Sequence, residues 1–98
     1  MKEIKINVYG NCSDEKPTRT YTVRRILFKT ARDLGALQDE ARGASDEEQI
    51  AYTLKMLKCV VPDFDEADFD GIDPVELGAF FRDLAAEISG VVQNAAKN

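Results

Sequence analysis

Residues 64–92, FDEADFDGIDPVELGAFFRDLAAEISGVV, decide the fold, because they join an acidic turn to the strongest helix signal in the chain. Asp73 can accept hydrogen bonds from first-turn N–H groups, Pro74 loses no bond at the first helical position, and Glu76 can reach back to the Asp73 amide. The apolar residues that follow recur at steps of three and four: Leu77, Phe80, Phe81, Leu84, Ile88, Val91 and Val92. This spacing predicts a helix from Pro74 to about Val92, buried along that stripe.

Residues 1–28 have the pattern of an antiparallel β-hairpin. Residues 2–9 alternate polar and apolar side chains, which places three aliphatic residues on one face. These residues are Ile4, Ile6 and Val8. Residues 10–17, GNCSDEKP, are turn residues, and residues 18–28 form a β-branched and aromatic second strand in which two adjacent arginines break the alternation. Because a two-stranded hairpin is marginal alone in water, we expect it to pack on helices or to pair with another chain.

The capping signals and apolar stripes of residues 30–92 predict three or four helices. Thr30, with Asp33 three residues later, has the spacing of a capping box, and the helix that it opens ends at Gly43. Its thin apolar stripe contains Leu34, Leu37 and Ala41. The fold class is therefore predicted to be α+β, in one domain over residues 1–98.

A second capping box, Ser45 with Glu48, opens the next helix, and Pro62 stops it. The apolar residues of this helix repeat at about four: Ile50, Leu54, Leu57 and Val61. Residues 64–69 predict one further short helix before the Asp73 helix, and residues 93–98 are expected to fray.

The charge is unevenly distributed along the chain. Residues 1–44 hold nine Lys/Arg against six Asp/Glu, a net +3, while residues 45–98 hold four against twelve, a net −8. This acidic balance argues against a nucleic-acid partner, because binding to phosphates needs clustered cations. The single basic cluster contains Arg24, Arg25, Lys29 and Arg32. We interpret this cluster as the solvated end of a strand, with an anion-binding patch as the less favoured alternative.

The sequence predicts free thiols and no membrane segment. Cys12 and Cys59 are far apart and form no CxxC pair. The alternating start MKEIKINVYG has no apolar core of a signal peptide, and no apolar run approaches the roughly 18–20 residues that span a bilayer. We therefore expect a reducing cytoplasm and no membrane partner.

The acidic run could form a calcium loop or a pair of catalytic carboxylates, but neither pattern is complete. With Gly71 at position 6 of an EF-hand loop, Leu77 falls at position 12, and with Glu76 at position 12, Ala67 and Phe69 fall at positions 3 and 5. The chain contains no histidine, which removes the usual general base and the commonest metal ligand. We expect no cofactor, no metal and no catalysis.

Short helices over a hairpin could instead form a groove for an amphipathic partner helix, although the pattern alone favours the use of every apolar stripe inside the core. An open edge of the hairpin would favour self-association by sheet extension. The sequence therefore leaves a helical partner and a homo-oligomer as the binding hypotheses.

The order of these segments resembles the tail assembly chaperones of long-tailed bacteriophages and prophages of Gram-positive hosts. The resemblance runs from MKEIKINVYG and TYTVRRILF, through KTARDLGAL and DEEQIAYTLKMLKCVV, to the closing block of residues 64–92. In that family an acidic–aromatic–acidic–Gly–aliphatic–Asp segment precedes a final helix, and residues 68–73, DFDGID, match it here. The turn at residues 10–17 is longer and more polar than the family pattern.

The resemblance implies a non-enzymatic protein in the cytoplasm of a bacterial host. Such chaperones bind the long helical tape measure protein, keep it soluble and leave before the virion is finished, often alongside a longer frameshifted version. The candidate client-binding residues, chosen by size and position, are Phe64, Phe69, Phe80 and Phe81. The alternative is a small phage or bacterial structural or adaptor subunit that stays in the assembled particle.

Overall fold

The hairpin and the final helix of this chain enclose one core between them. A computed structural model describes the backbone of residues 3–97 and the side chains of residues 3–90. The elements are the strands β1 (Ile4–Val8) and β2 (Arg19–Val23), the helices α1 (Phe28–Ala41) and α2 (Asp46–Val60), a 3₁₀ helix (Glu66–Gly71) and the helix α3 (Pro74–Lys97). The predicted α+β class, an N-terminal antiparallel hairpin followed by three or four helices, is confirmed.

The hairpin forms with the predicted face buried. β1 pairs antiparallel with β2, with Ile4 opposite Val23 and Ile6 opposite Tyr21, so the alternating apolar side chains all point inward. The strand β2 ends at Val23, whereas residues 18–28 were predicted to form one strand. After Val23 the alternation of buried and exposed residues is lost, because Arg24 and Arg25 are both exposed and Ile26 returns to the core.

The helix α1 begins at Phe28, two residues before the predicted start at Thr30. Leu27 occupies the N-cap position without a side-chain cap, so the predicted Thr30–Asp33 capping box is wrong. The predicted end is close to the observed one, because α1 stops at Ala41 and Gly43 adopts a positive φ of 78°. That left-handed backbone conformation favours glycine just after a helix.

The helix α2 starts as its sequence predicts. The Ser45 hydroxyl accepts the Glu48 N–H at 3.3 Å, and the Glu48 carboxylate accepts the Ser45 N–H at 3.3 Å, which completes the capping box. Leu57 and the residue after the helix, Val61, are buried. Ile50 is 59% exposed, so its predicted place on the buried stripe is wrong.

The helix α3 begins at Pro74, and the Asp73 carboxylate accepts the Val75 N–H at 2.8 Å as predicted. Glu76 does not complete the capping box, because its Oε1 accepts a bond from the Asn7 amide of β1 at 3.1 Å. The helix continues to Lys97, past the predicted end near Val92, through residues with high helix propensity. The backbone of residues 93–97, which were predicted to fray, belongs to α3, whereas the side chains of residues 91–97, including Val91 and Val92, and all of Asn98 lie outside the parts described.

The core lies between the inner face of the hairpin and the helices. Its least exposed large side chains are Ile6, Leu57, Phe80 and Leu84. Gly71 brings the 3₁₀ helix against the end of β1, where its carbonyl accepts the Tyr9 N–H at 2.7 Å. A Cβ atom at this position would lie 2.6 Å from the Tyr9 carbonyl oxygen, so only glycine allows this approach. Within residues 3–97, no helix is long and apolar enough to cross a membrane.

Candidate docking surface

The structure places the four candidate client-binding phenylalanines in and around the core. Phe64 and Phe80 are buried, with 4% and 2% of their surface exposed, and the Phe64 ring packs 4.8 Å from the Tyr21 ring. Phe69 and Phe81 are half-buried and pack against the same core. Phe64 and Phe80 therefore stabilise the fold and cannot reach a client unless the fold opens, while Phe69 and Phe81 present only part of their rings.

The acidic turn is used to organise the fold. Asp68 Oδ2 accepts a bond from the Tyr21 hydroxyl at 2.5 Å and pairs with Arg19 at 3.1 Å. The Tyr21 hydroxyl in turn accepts the Asp65 N–H at 3.2 Å. Burial, together with the hydrogen bond to the Asp68 carboxylate, raises the pKa of Tyr21. These three contacts hold the turn against the hairpin, so the Asp68 carboxylate and the Asp65 N–H have structural partners.

An open cleft of about 500 Å³ lies between the hairpin turn and the start of α3. Its lining includes five carboxylate side chains, those of Asp14, Glu15, Asp70, Asp73 and Glu76. Interaction with the Glu76 carboxylate raises the pKa of the Tyr9 phenol. In the part of the chain that the structure describes, no three or more Cys, Asp or Glu side chains are grouped so that they could hold a metal ion. The cleft therefore repels anionic ligands and offers cations only exposed carboxylates.

A second groove, of about 590 Å³, lies between α1 and the end of α2. The α1 side is formed by residues of one helical face, and the α2 side by Cys59 and Pro62. The lining residues from α1, together with the residue just before the helix, are Leu27, Lys29, Thr30, Asp33, Ala36 and Leu37. The Cys59 thiol donates a weak bond to the Thr30 carbonyl oxygen at 3.8 Å, and burial raises its pKa. The groove is mostly apolar and is open to solvent.

Two large apolar side chains are exposed at the start of α1. Leu27 is 59% exposed and lines the groove, and its neighbour Phe28 is 57% exposed. Four exposed cations lie within the same nine residues, 24–32: Arg24, Arg25, Lys29 and Arg32. We call these six residues the basic–apolar patch. An exposed apolar pair beside an open groove is a feature typical of protein docking sites.

The sequence prediction missed this patch because it assigned Leu27 and Phe28 to the second strand. The informative signal was the loss of alternation at Arg24 and Arg25, which ends the strand and leaves the next apolar residues free to face solvent. Of the cluster predicted to be a solvated strand end, Arg24 and Arg25 follow the end of β2 and are exposed, whereas Lys29 and Arg32 lie in α1. A helix start that carries no acidic residue and no side-chain cap is also unusual, because the helix dipole favours negative charge there.

No protein family, curated protein or solved structure matches this chain in comparisons of its sequence and fold.

Proposed function

We propose that this chain is a non-enzymatic binding protein that acts as a tail assembly chaperone for the tape measure protein of a long-tailed phage or prophage. The observation that carries the proposal is the groove between α1 and α2, with Leu27 exposed on its lining and Phe28 exposed at the start of α1. A helix that exposes an apolar stripe can place that stripe in such a groove and remove it from water. The resemblance of residues 64–92 and of the segment order to tail assembly chaperones supplies the identity of the client.

The charge of the chain supports a solubilising role. The protein carries a net charge of −5, and residues 45–98, which contain α2, the 3₁₀ helix and α3, carry a net −8. A complex that covers the apolar stripes of its client and presents net negative charge to solvent resists aggregation. The proposal places this activity in the cytoplasm of the bacterial host, where the client is synthesised.

The proposal includes self-association. The sheet has only the two strands β1 and β2 in the described residues, so each strand has one edge without a strand partner. Such edges can pair between copies of a chain. Light scattering over a range of concentrations measures the mass of the free protein and therefore tests this part directly.

Co-expression with the tape measure protein of the same phage or prophage tests the function. We expect the client to be insoluble alone, and soluble and co-purified when this chain is present. Mass spectrometry of finished tails then separates the proposal from its alternative, because a chaperone is absent from the particle and a structural subunit is present. Unchanged client solubility without co-purification would contradict the chaperone function.

A further inference from the structure

We propose that the basic–apolar patch docks an amphipathic partner helix whose apolar stripe is flanked by carboxylates. This inference rests on the proposed function for the kind of partner, a helical client, and adds the location of the site and the charge of the segment that it takes. The apolar part of the patch consists of Leu27 and Phe28, each more than half exposed, and Leu27 also lines the groove between α1 and α2. These side chains lose contact with water only when something covers them.

The charge around the patch determines the chemistry of the partner. Two carboxylates lie close to the four cations: Glu3 pairs with Arg24 at 3.3 Å, and Asp33 lines the groove. Four cations and two carboxylates leave the region at +2, and since the whole chain carries −5, the rest of the molecule carries −7. An acidic helix is therefore repelled by the net charge of the rest of the protein and attracted at the start of α1, which favours binding there.

The start of α1 adds to this preference. Lys29 lies in the first turn of α1, the turn holds no acidic residue, and Leu27 provides no side-chain cap. Positive charge at the positive end of a helix dipole is unfavourable in the free protein. Carboxylates from a partner would relieve this repulsion while the apolar stripe of the partner covers Leu27 and Phe28. A lysine in the uncapped first turn of α1 thus destabilises the free chain and favours the complex.

Two synthetic helical peptides with the same leucine stripe test the charge preference. One carries glutamates beside the stripe and the other carries lysines, and binding is measured by fluorescence anisotropy at low and high salt. We expect the glutamate peptide to bind about tenfold more tightly or better, with an advantage that falls as salt screens the charges. Equal binding of the two peptides would overturn the inference.

Two pairs of variants locate the site. Leu27→Ala should weaken binding of the glutamate peptide by about fivefold, because it removes apolar surface that the partner covers. Ile50→Ala is the matched control, since Ile50 is also 59% exposed but lies on α2 outside the patch, and it should have no effect. Equal losses in the two variants would overturn the location.

The charge variant has effects of opposite sign on stability and on binding. Lys29→Glu places an acidic residue in the first turn of α1, so we expect an unchanged or raised melting temperature and binding weakened by about three- to tenfold. The control Lys16→Glu makes the same charge change in the hairpin turn, at the other end of β2, and should leave the affinity within about twofold. A Lys29→Glu protein that melts at or above the parent temperature and binds normally would overturn the inference.

Other occupants of the patch give distinct results. Binding of phosphatidylserine vesicles or single-stranded DNA as tightly as the glutamate peptide, with the same loss in Lys29→Glu, would show a general polyanion surface and overturn the proposal. A self-associated parent that becomes monomeric in Leu27→Ala would show that a second copy covers the patch, which also overturns it.

The tape measure co-expression separates failure of the site from failure of the function. If the parent, Leu27→Ala and Lys29→Glu all solubilise the client equally, the docking site is wrong and the chaperone function stands. If the parent fails to solubilise the client but binds the glutamate peptide through the patch, the chaperone function is wrong and the docking site stands.

Discussion

The contact between Gly71 and the end of β1 gives the sharpest structural prediction, because the substitution Gly71→Ala adds one methyl group where there is no room. The added Cβ would lie 2.6 Å from the Tyr9 carbonyl oxygen and 2.8 Å from Val8 Cγ1. Ordinary van der Waals contact begins at 3.4 Å, so the two segments must separate by about 0.8 Å. The hydrogen bond from the Tyr9 N–H to the Gly71 carbonyl, 2.7 Å long, would lengthen beyond a useful distance.

The expected cost follows from these two effects. Overpacking costs about 1–3 kcal/mol, and the lost hydrogen bond about 0.5–1.5 kcal/mol. Replacing glycine by alanine also lowers the entropy of the unfolded chain, which recovers about 0.4–1 kcal/mol. We therefore expect Gly71→Ala to lower the free energy of unfolding by about 0.5–4 kcal/mol. For a domain of this size each kcal/mol shifts the melting temperature by about 4–8 °C.

Urea unfolding followed by far-UV circular dichroism measures this difference. Gly78→Ala is the matched control, because Gly78 lies exposed in α3 and a Cβ there meets nothing within 4 Å. That control should stabilise the protein by up to about 1 kcal/mol through helix propensity. If Gly71→Ala is as stable as the parent or as Gly78→Ala, the close approach of the 3₁₀ helix to β1 is wrong.

Three further predictions concern the cap of α3, the buried phenol and the thiols. Asp73→Ala should destabilise the protein by about 0.5–2 kcal/mol in thermal melts, because it removes the cap of α3. Tyr21→Phe should cost about 1–3 kcal/mol at neutral pH, because it removes the hydrogen bond to Asp68. Since the pKa of Tyr21 lies above its usual 10.0 only in the folded state, the stability linked to its proton is complete below pH 10 and is lost as pH rises through the folded pKa. The Tyr21→Phe protein should therefore show a shallower loss of stability above pH 10 than the parent. Iodoacetamide should modify the exposed Cys12 at least about tenfold faster than the partly buried Cys59, as peptide mass spectrometry would show.

Each of these three predictions has an outcome that would contradict it, and the cap prediction also has a matched control. Asp70→Ala removes the same charge from the exposed acidic turn and should change the melting temperature less than Asp73→Ala does. Coincident melts of Asp73→Ala and the parent would contradict the position of the α3 start. Parallel stability curves of Tyr21→Phe and the parent above pH 10 would contradict the role of Tyr21. Equal alkylation rates would contradict the burial of Cys59.

The sequence patterns did not predict much of the candidate site, and the burial of its apolar residues shows why. Phe64 and Phe80 are large and apolar, as binding residues often are, but only the packing of Phe64 and of α3 against the hairpin shows that they are core. Leu27 and Phe28 are also large and apolar and were assigned to the second strand, yet they face solvent. Hydrophobicity alone does not separate these cases, because burial depends on what packs against a side chain.

The sequence by itself determined the features whose physics lies within a few residues. The Ser45–Glu48 capping box, the Asp73 cap before Pro74 and the alternation of residues 4–8 depend on local hydrogen bonds and on fixed periods. Each of these formed as the pattern predicts. The order of a hairpin followed by helices follows from the same signals, and so does the α+β class.

Only the tertiary structure decided the features that join distant segments. Glu76 could cap its own helix or accept from Asn7, and the packing of α3 on β1 selected the second bond. The end of β2 at Val23 and the exposure of Ile50 likewise depend on where neighbouring elements lie. Gly71 shows no local signal for its contact with Tyr9, because the two residues meet only after the chain has folded. Local free energies fix which elements form, whereas the burial of shared surface fixes which faces meet and which remain open for a partner.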